Sequence, residues 1–312
     1  MENLVFSFNV LLPILIEIAL GFMLKSMGLI DSHTAKGANK IVFKLFLPVL
    51  LFNNLYTSEI SAAFNPSLII FALISVIITV ALLCVIVPVF EKDKTKRGAI
   101  IQGMFRSNFA IFGVPLSISI AGEVIRPSVS VVVAFVVITY NILAVIVLEA
   151  YNHNNPDFKS ILKGIAVNPL IISCILGILI MVSGIKFPAS IDKTLSGISS
   201  VATPLGLIIL GASINIMSVK QNAKRLVFAI GGKLIVIPII VLTIAVLLGF
   251  KGGELAILLA LYASPAAISS YSMAVEMGHD GELAAQIVMF GTIICIFTMF
   301  IFVFVLKQLG VI

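Results

Sequence analysis

The sequence predicts an all-α integral membrane protein in which ten transmembrane helices form two inverted five-helix repeats with broken, crossing helices 4 and 9. Three features lead to this prediction: the composition, the number of apolar segments and a spacing that recurs at half the chain length. Of the 312 residues, 60% are hydrophobic and only 11% are charged, and the mean hydropathy is +1.21. Because a soluble domain carries roughly 25% charged residues, this chain is too apolar to be one.

Ten stretches of the sequence are long and apolar enough to cross a bilayer, which requires about 20 mostly apolar residues each. Short polar segments separate them. Spans 2 and 7 fit least well, because each contains a proline and several polar residues. In chain order, the predicted spans 1 to 10 lie near residues 4–27, 37–56, 66–90, 98–122, 127–150, 161–184, 195–215, 223–249, 252–276 and 281–308.

The distribution of lysine and arginine predicts the orientation of the chain. The loops after spans 1, 3, 5, 7 and 9 carry twelve of these residues, whereas the opposite side carries five. Because basic residues accumulate in cytoplasmic loops, we expect a multi-pass protein of the cytoplasmic membrane with both termini on the extracytoplasmic side. The net charge of +6 then reflects loops beside anionic lipid, so the bilayer is the expected partner and nucleic acid is not.

Prolines and glycines recur at a spacing of 156 residues, which is half the chain length. The matched pairs are Pro13 and Pro169, Gly21 and Gly177, Gly28 and Gly184, Pro48 and Pro204, and Gly122 and Gly278. This register predicts a duplication into residues 1–156 and 157–312, with five spans in each half. An odd number of spans inverts the second half, and inverted repeats with a site near the midplane are typical of secondary transporters.

Spans 4 and 9 occupy corresponding places in the two halves, and both are interrupted by helix breakers. Span 4 contains "RSNFAIFGVP" and span 9 contains "ASPAAISSYS". Backbone groups freed by such breaks cannot stay unpaired in lipid, so they must face protein, water or a ligand. The candidate ligand-binding residues in these segments are Arg106, Ser107, Asn108, Gly113, Pro115, Ser264 and Pro265.

The chemistry of these residues suits an anion. Half-helix N-termini carry partial positive charge and free N–H groups, and the Asn108 amide and nearby serine hydroxyls are donors. Arg106 adds a permanent charge that would cost about 2.5–3.5 kcal/mol at the centre of an isolated helix. Blander interpretations stay open: Arg106 snorkelling to a helix end, Asn108 joining two helices, and the prolines acting as simple kinks.

Other polar residues within spans are weaker candidates. Glu17 in span 1 is interpreted as a proton-carrying acid, as an ion-pair partner of Lys44, or as a protonated glutamate hydrogen-bonded to a neighbour. Asn53 lies near the end of span 2, and Tyr140 and Asn141 interrupt span 5. We expect Asn53 and its neighbour Asn54 to line the substrate path or to cap span 2. Tyr140 and Asn141 would lie next to the crossing if spans 3–5 and 8–10 pack as one bundle, and Asn53 and Asn141 are candidate substrate-binding residues.

No catalytic or metal-binding constellation is visible in the apolar segments. The three cysteines lie singly within apolar runs, and the histidines lie at span edges or in loops: His33, His153 and His279. Zinc, disulfide and Ser–His patterns are missing. The sequence therefore predicts neither an enzyme nor a bound cofactor, while coupling to protons or sodium stays open.

At "FRSNFAIFGVPL" the chain resembles the auxin efflux carrier family of membrane transporters, in its bacterial branch. Plant members of that family export auxin, and bacterial relatives are linked to malate or malonate. The polar–Asn–apolar–Gly–x–Pro pattern is matched by Asn108, Gly113 and Pro115, and the proline of the second crossing helix by Pro265. The resemblance implies that the carboxylate of a small organic anion meets Asn108 at a helix crossing.

The same resemblance implies an elevator-type movement. Spans 3–5 and 8–10 would form the moving transport domain, while spans 1, 2, 6 and 7 would form a scaffold, commonly at a homodimer interface. The short central loop departs from the plant branch and argues against auxin as the substrate. Sodium-coupled bile acid transporters share the general architecture, so a sodium symporter and a non-transporting sensor are kept as alternatives.

Overall fold

Helices account for the regular structure of the chain in a computed structural model that describes residues 2–57, 65–152 and 158–312. The α-helices, in chain order, are α1 Glu2–Ser26, α2 Ser32–Ile41, α3 Leu47–Tyr56, α4 Pro66–Phe90, α5 Lys94–Phe105, α6 Val114–Ala121, α7 Arg126–Ala150, α8 Phe158–Val167, α9 Pro169–Ser183, α10 Ala189–Ser213, α11 Ile216–Gly231, α12 Ile237–Leu247, α13 Gly252–Ala263, α14 Ile268–Glu276 and α15 Gly281–Gln308. The predicted all-helical class is confirmed.

Among the described residues, five helical segments are long and apolar enough to cross a membrane: 66–90, 123–150, 189–213, 218–247 and 281–308. Three shorter apolar segments, 109–121, 169–183 and 252–263, accompany them. The chain is therefore a multi-pass membrane protein, whereas the ten-span inverted repeat stays a prediction. His153, in the predicted central loop, lies outside the described residues.

Apolar side chains also cover the outer surface, as expected for helices in contact with lipid. On α4, for example, Val85 and Val89 are 71% and 75% exposed, while Val76 and Val87 are buried against other helices. A soluble protein would place polar residues at such exposed positions. The outer faces are thus suited to hydrocarbon, and the buried faces form a second, protein-lined environment.

Three π-helical turns let prolines sit inside otherwise continuous helices. The turns Val42–Phe46, Phe109–Gly113 and Gly232–Val236 directly precede α3, α6 and α12. Each of these helices has a proline at its second residue, namely Pro48, Pro115 and Pro238. Proline lacks an N–H and clashes with the carbonyl four residues earlier, and the wider π turn relieves that clash. This explains why the proline of span 2 does not end the helix.

Two close helix contacts follow the 156-residue spacing. A Cβ added at Gly21 of α1 would lie 1.9 Å from the carbonyl oxygen of Ile208 in α10. A Cβ added at Gly177 of α9 would lie 3.1 Å from the carbonyl oxygen of Phe52 in α3. Both the glycines and their partners are 156 residues apart. These glycines are therefore required where helices of one half pack on helices of the other.

Candidate functional site

Helix α5 ends at Phe105 and helix α13 ends at Ala263. The chain is extended after each of these ends, and the two extended segments cross as a short antiparallel pair. Ser107 and Ala266 form an isolated antiparallel bridge. Two backbone hydrogen bonds flank it, from Asn108 N to Pro265 O at 2.8 Å and from Ala267 N to Arg106 O at 3.2 Å. The two predicted breaks therefore meet and satisfy part of each other's backbone.

The pairing differs from the predicted register by three residues. A spacing of 156 equates Asn108 with Ser264, but the reciprocal bonds equate it with Ala267, 159 residues later. The left-handed Gly122 and Gly278, with φ of 85° and 75°, keep the 156 spacing. The first half thus has three more residues between crossing and glycine, a stretch that includes the π turn Phe109–Gly113.

A small cavity of about 70 Å³ lies between the crossing and helices α3, α7 and α10. Its apolar wall on the α3 side includes Leu47, Leu50 and Leu51. Its polar lining consists of Asn54, Arg106, Ser107, Asn108, Tyr140, Thr203 and Ser269. Protein encloses the crossing on these sides, so polar groups here are shielded from lipid.

The N-terminal ends of both half-helices open onto this cavity. The first bonds inside them run from Phe112 N to Asn108 O at 3.0 Å and from Ser270 N to Ala267 O at 2.9 Å. The preceding N–H groups have no partner within their own helices, and Ala110 and Ile268 are among the residues that carry them and line the cavity. Two positive helix ends therefore converge on one small space.

Arg106 is buried at the crossing, and its contacts are with neutral groups. It is 3% exposed, and its Nη2 donates to Asn141 Oδ1 at 2.5 Å. Its Nη1 contacts the sulfur of Met273. With the Gln102 amide assigned so that its nitrogen donates to Ser270 O at 3.1 Å, the Gln102 oxygen accepts from Nη1 at 3.2 Å.

No carboxylate pairs with Arg106 among the described residues. The ion pairs in that part of the chain are Lys96–Asp93, Arg126–Glu123 and Arg225–Glu91. Since guanidinium stays charged in proteins, the cavity contains a permanent positive charge without a counter-charge. The burial of Arg106 also contradicts the interpretation that its side chain snorkels to the membrane surface.

Tyr140 supplies a second unsatisfied group. Its side chain is 2% exposed and its hydroxyl has no hydrogen-bond partner in the described structure, while its ring packs on Phe105 with centroids 5.8 Å apart. Buried hydroxyls normally find a partner, so the Tyr140 hydroxyl is available to donate to a group bound in the cavity. The sequence predicted that Tyr140 lies next to the crossing but not that it has a binding role, because a lone tyrosine carries no binding pattern.

Two of the predicted residues shape the crossing without lining the cavity. A Cβ on Gly113 would lie 2.3 Å from the ring of Phe109 and 3.1 Å from Ala260 O, so the glycine permits close packing on α13. Pro115 lies one turn beyond the cavity in α6.

The two predicted residues in the second crossing segment act through their own backbone and helix. Ser264 donates its hydroxyl to Ala260 O within its own helix, while its carbonyl accepts from the Ser107 hydroxyl at 3.4 Å. Pro265 contributes its backbone carbonyl to the crossing.

The remaining candidates lie farther from the crossing. Asn53 is half-buried and does not line the cavity, whereas its neighbour Asn54 does. Glu17 is half-buried in α1, Lys44 is exposed, and the two form no ion pair, so that interpretation is wrong. Asn141, in contrast, is fully buried and binds Arg106 directly.

Comparisons with known proteins agree with a transport role. A family model described as "Membrane transport protein" matches residues 6–164 and 155–303. A curated uncharacterized transporter of Methanothermobacter thermautotrophicus is 23% identical over 92% of this chain and 94% of its own length. An uncharacterized transporter of Methanocaldococcus jannaschii is 26% identical over 89% of this chain and 92% of its own length. The chain therefore belongs to the membrane transport protein family, which includes the auxin efflux carriers.

Proposed function

We propose that this protein is a secondary active transporter that carries a small organic anion, such as malate or malonate, through a site at the crossing of its two broken helices. The observation that carries the proposal is Arg106, a buried guanidinium whose described contacts are all neutral. A bound carboxylate would supply the missing counter-charge. It would also accept hydrogen bonds from the Tyr140 hydroxyl and the Asn108 amide.

Energetics favour this assignment over a purely structural arginine. A buried charge without a partner costs several kcal/mol, and a structural role would be filled at lower cost by an apolar side chain. Charge-assisted hydrogen bonds from guanidinium to carboxylate are roughly twice as strong as neutral ones. The free energy stored in the unpaired Arg106 is therefore recovered when an anion binds, which makes the site selective for negative charge.

Architecture proposed from the sequence fits this site. Residues 1–156 and 157–312 would be the inverted repeats, and the paired glycine contacts at the 156 spacing support that division. The cavity lies between α3 and α10 of the proposed scaffold, spans 1, 2, 6 and 7, and the crossing of the proposed transport domain, spans 3–5 and 8–10. We propose that the transport domain moves by an elevator mechanism. The protein would be a homodimer in the cytoplasmic membrane, with both termini of each chain outside.

The coupling ion is part of the proposal to be tested. The described residues contain no group of three or more His, Cys, Asp or Glu side chains arranged to hold a metal ion. Proton and sodium coupling are therefore separated by experiment: a sodium requirement would favour a symporter of the bile-acid-transporter type, and faster uptake at low external pH would favour protons.

The test is uptake of labelled malonate, malate and lactate by proteoliposomes containing the purified protein, with and without sodium and at two pH values. Arg106→Gln keeps a donor for Asn141 but removes the charge, and we expect it to lower uptake at least tenfold. Arg97→Gln, the same change near the start of α5, is the matched control and should leave uptake unchanged. Equal uptake by wild type and Arg106→Gln would refute the site, and ligand-induced thermal stabilisation without uptake would favour a sensor.

A further inference from the structure

A larger polar cavity adjoins the crossing on one side. It has a volume of about 370 Å³, and it shares Asn54 and Ala110 with the cavity at the crossing. Its other polar lining residues are Thr57 at the end of α3 and Arg126 and Ser130 at the start of α7. The two cavities are therefore neighbouring compartments, with α3 and the first residues after the crossing as their common wall.

The larger cavity lies toward one membrane surface. Thr57 follows the last residue of α3, and Arg126 is the first residue of α7, so the cavity lies at the ends of these helices. By the positive-inside count these ends belong to the extracytoplasmic side.

On the opposite side of the crossing, α2 contacts α14. Asn39 of α2, which is 1% exposed, donates to Ser272 O and to Glu276 Oε1 of α14, both at 3.4 Å. This contact joins the proposed scaffold to the second half-helix of the crossing on the cytoplasmic side. The larger cavity thus lies on one side of the crossing, and a contact between α2 and α14 lies on the other.

Arg126 gives the larger cavity a positive group that a ligand can compete for. Its guanidinium holds Glu123 through two bonds, at 2.7 and 2.9 Å, and the side chains are 58% and 70% exposed. Exposed pairs of this kind contribute little to stability, so an incoming anion can share or replace the carboxylate. The N-terminus of α7, which begins at Arg126, adds partial positive charge in the same direction.

We infer that this cavity is an extracytoplasmic antechamber, a first binding site that gathers small anions through Arg126 and passes them by Asn54 to the crossing. The identity of the anion and the side of access rest on the proposed function and its topology, but the position and the charge preference of the antechamber do not. Because its lining combines one guanidinium with an amide and two hydroxyls, it suits a small carboxylate better than a cation or a lipid.

Modification of an introduced cysteine tests the inference without any transported substrate. Thr57→Cys places a thiol in the antechamber, and Thr194→Cys in α10 is the matched control. Both threonines donate their hydroxyl to the carbonyl four residues earlier and are exposed, and both lie on the predicted extracytoplasmic side. The probes are an anionic and a cationic methanethiosulfonate of similar size, applied to sealed right-side-out vesicles.

We expect Thr57→Cys to react from outside and to favour the anionic reagent about three- to tenfold more than Thr194→Cys does, because a positive cleft raises the local anion concentration. Adding Arg126→Gln should abolish that preference and leave Thr194→Cys unchanged. Asn39→Cys should react from neither side. Native cysteines are buried or half-buried, and the protein without added cysteine measures their background.

Three results would overturn the inference. The first is that Thr57→Cys reacts only from the cytoplasmic side. The second is that its preference for the anionic reagent equals that of Thr194→Cys or persists when Arg126→Gln is added. The third is that Asn39→Cys reacts from the cytoplasm. Failure of the proposed transport function gives a different pattern: no uptake, with the modification rates still as expected. The two ideas therefore fail separately.

Discussion

Asn141 accepts a hydrogen bond from Arg106 at 2.5 Å, so the buried guanidinium at the crossing is held by a neutral amide. The amide nitrogen of Asn141 donates to Val137 O in its own helix at 2.9 Å, which fixes the oxygen toward the arginine. An amide positions Arg106 without cancelling its charge, and an aspartate of the same shape would cancel it. This difference makes Asn141 the residue on which anion binding can be tested most directly.

Asn141→Asp is expected to keep the fold and to weaken binding of a small carboxylate at least tenfold. The new carboxylate pairs with Arg106 and takes the place of the counter-charge that the substrate would supply. Binding is measured by calorimetry, and folding by the thermal midpoint in detergent.

Asn168→Asp is the control for Asn141→Asp. Asn168 caps α9 through its side-chain oxygen, and aspartate caps equally well, so that variant should bind normally. Unchanged affinity in Asn141→Asp would contradict the assignment of Arg106.

Tyr140 and Tyr262 provide a second matched pair. Tyr140 has an unpartnered hydroxyl beside Arg106, whereas the Tyr262 hydroxyl bonds to Ser75 Oγ at 2.5 Å. Tyr140→Phe should therefore raise the thermal midpoint slightly, because it removes a buried hydroxyl without a partner, and it should weaken anion binding severalfold, because the ligand loses a donor. Tyr262→Phe should lower stability by about 1 kcal/mol and leave binding unchanged. Thermal midpoints and binding isotherms of both variants check this, and a reversed pattern would place the ligand elsewhere.

Periodicity and composition predicted much of the fold because bilayer thickness sets the length of apolar segments. The helix breaks at Arg106 and Ser264 were predictable for a related reason, since backbone polar groups in lipid must be satisfied. The contact between the two breaks was also expected, because each occupies the same place in its half.

Other features were not readable from the sequence. The three-residue shift that makes Asn108 correspond to Ala267 lies in a stretch that includes a π turn, and π turns have no distinctive sequence. Both Asn53 and Asn54 were candidates, and which of them lines the cavity depends on helix rotation, which a boundary error of one residue reverses. The missing partner of the Tyr140 hydroxyl is a tertiary property, because neighbours from other helices decide whether it is satisfied.

Close packing of α1 on α10 gives a prediction for stability. A Cβ at Gly211 would lie 2.0 Å from Ile18 O, whereas a Cβ at Gly197, in the same helix, would meet no atom within 4 Å. Gly211→Ala should therefore destabilise the protein by about 1–3 kcal/mol through overpacking. Gly197→Ala should stabilise it by about 0.5–1 kcal/mol, because alanine favours a helix. Denaturation in mixed micelles separates the two, and equal effects would contradict the close contact.

Stability should fall in acid through the ion pair of Glu91 and Arg225, which joins the loop after α4 to α11. Burial alone raises the pKa of Glu91, but the hydrogen bond and charge of Arg225, with the backbone N–H of Asp93, outweigh it and hold the pKa below its usual value of 4.5. A carboxyl with a lowered folded-state pKa stabilises the fold above its unfolded pKa and loses that contribution as pH falls.

The thermal midpoint of wild type should therefore approach that of Glu91→Gln as the pH decreases from 7 to below 4.5. The neighbouring ion pair of Lys96 and Asp93 is more exposed than that of Glu91 and Arg225. It is tested in parallel with Asp93→Asn, which should change the thermal midpoint less than Glu91→Gln does. A gap between wild type and Glu91→Gln that stays constant across this range would contradict the role of the pair.

Lys233 yields a prediction in which stability and activity are expected to separate. Its side chain is 2% exposed in the π turn Gly232–Val236, and its Nζ has no hydrogen-bond partner in the described structure. An unsatisfied buried polar group costs about 1–3 kcal/mol, so Lys233→Met should raise the thermal midpoint. Lys44→Met is the matched control, because Lys44 lies in the π turn Val42–Phe46 but is exposed, and it should change stability little.

Residues whose side chains cost stability often serve activity, so we expect Lys233→Met to transport more slowly although it is more stable. A variant that is destabilised would contradict the absence of a partner for Nζ, and one that is stabilised and fully active would show that the amine has no part in transport.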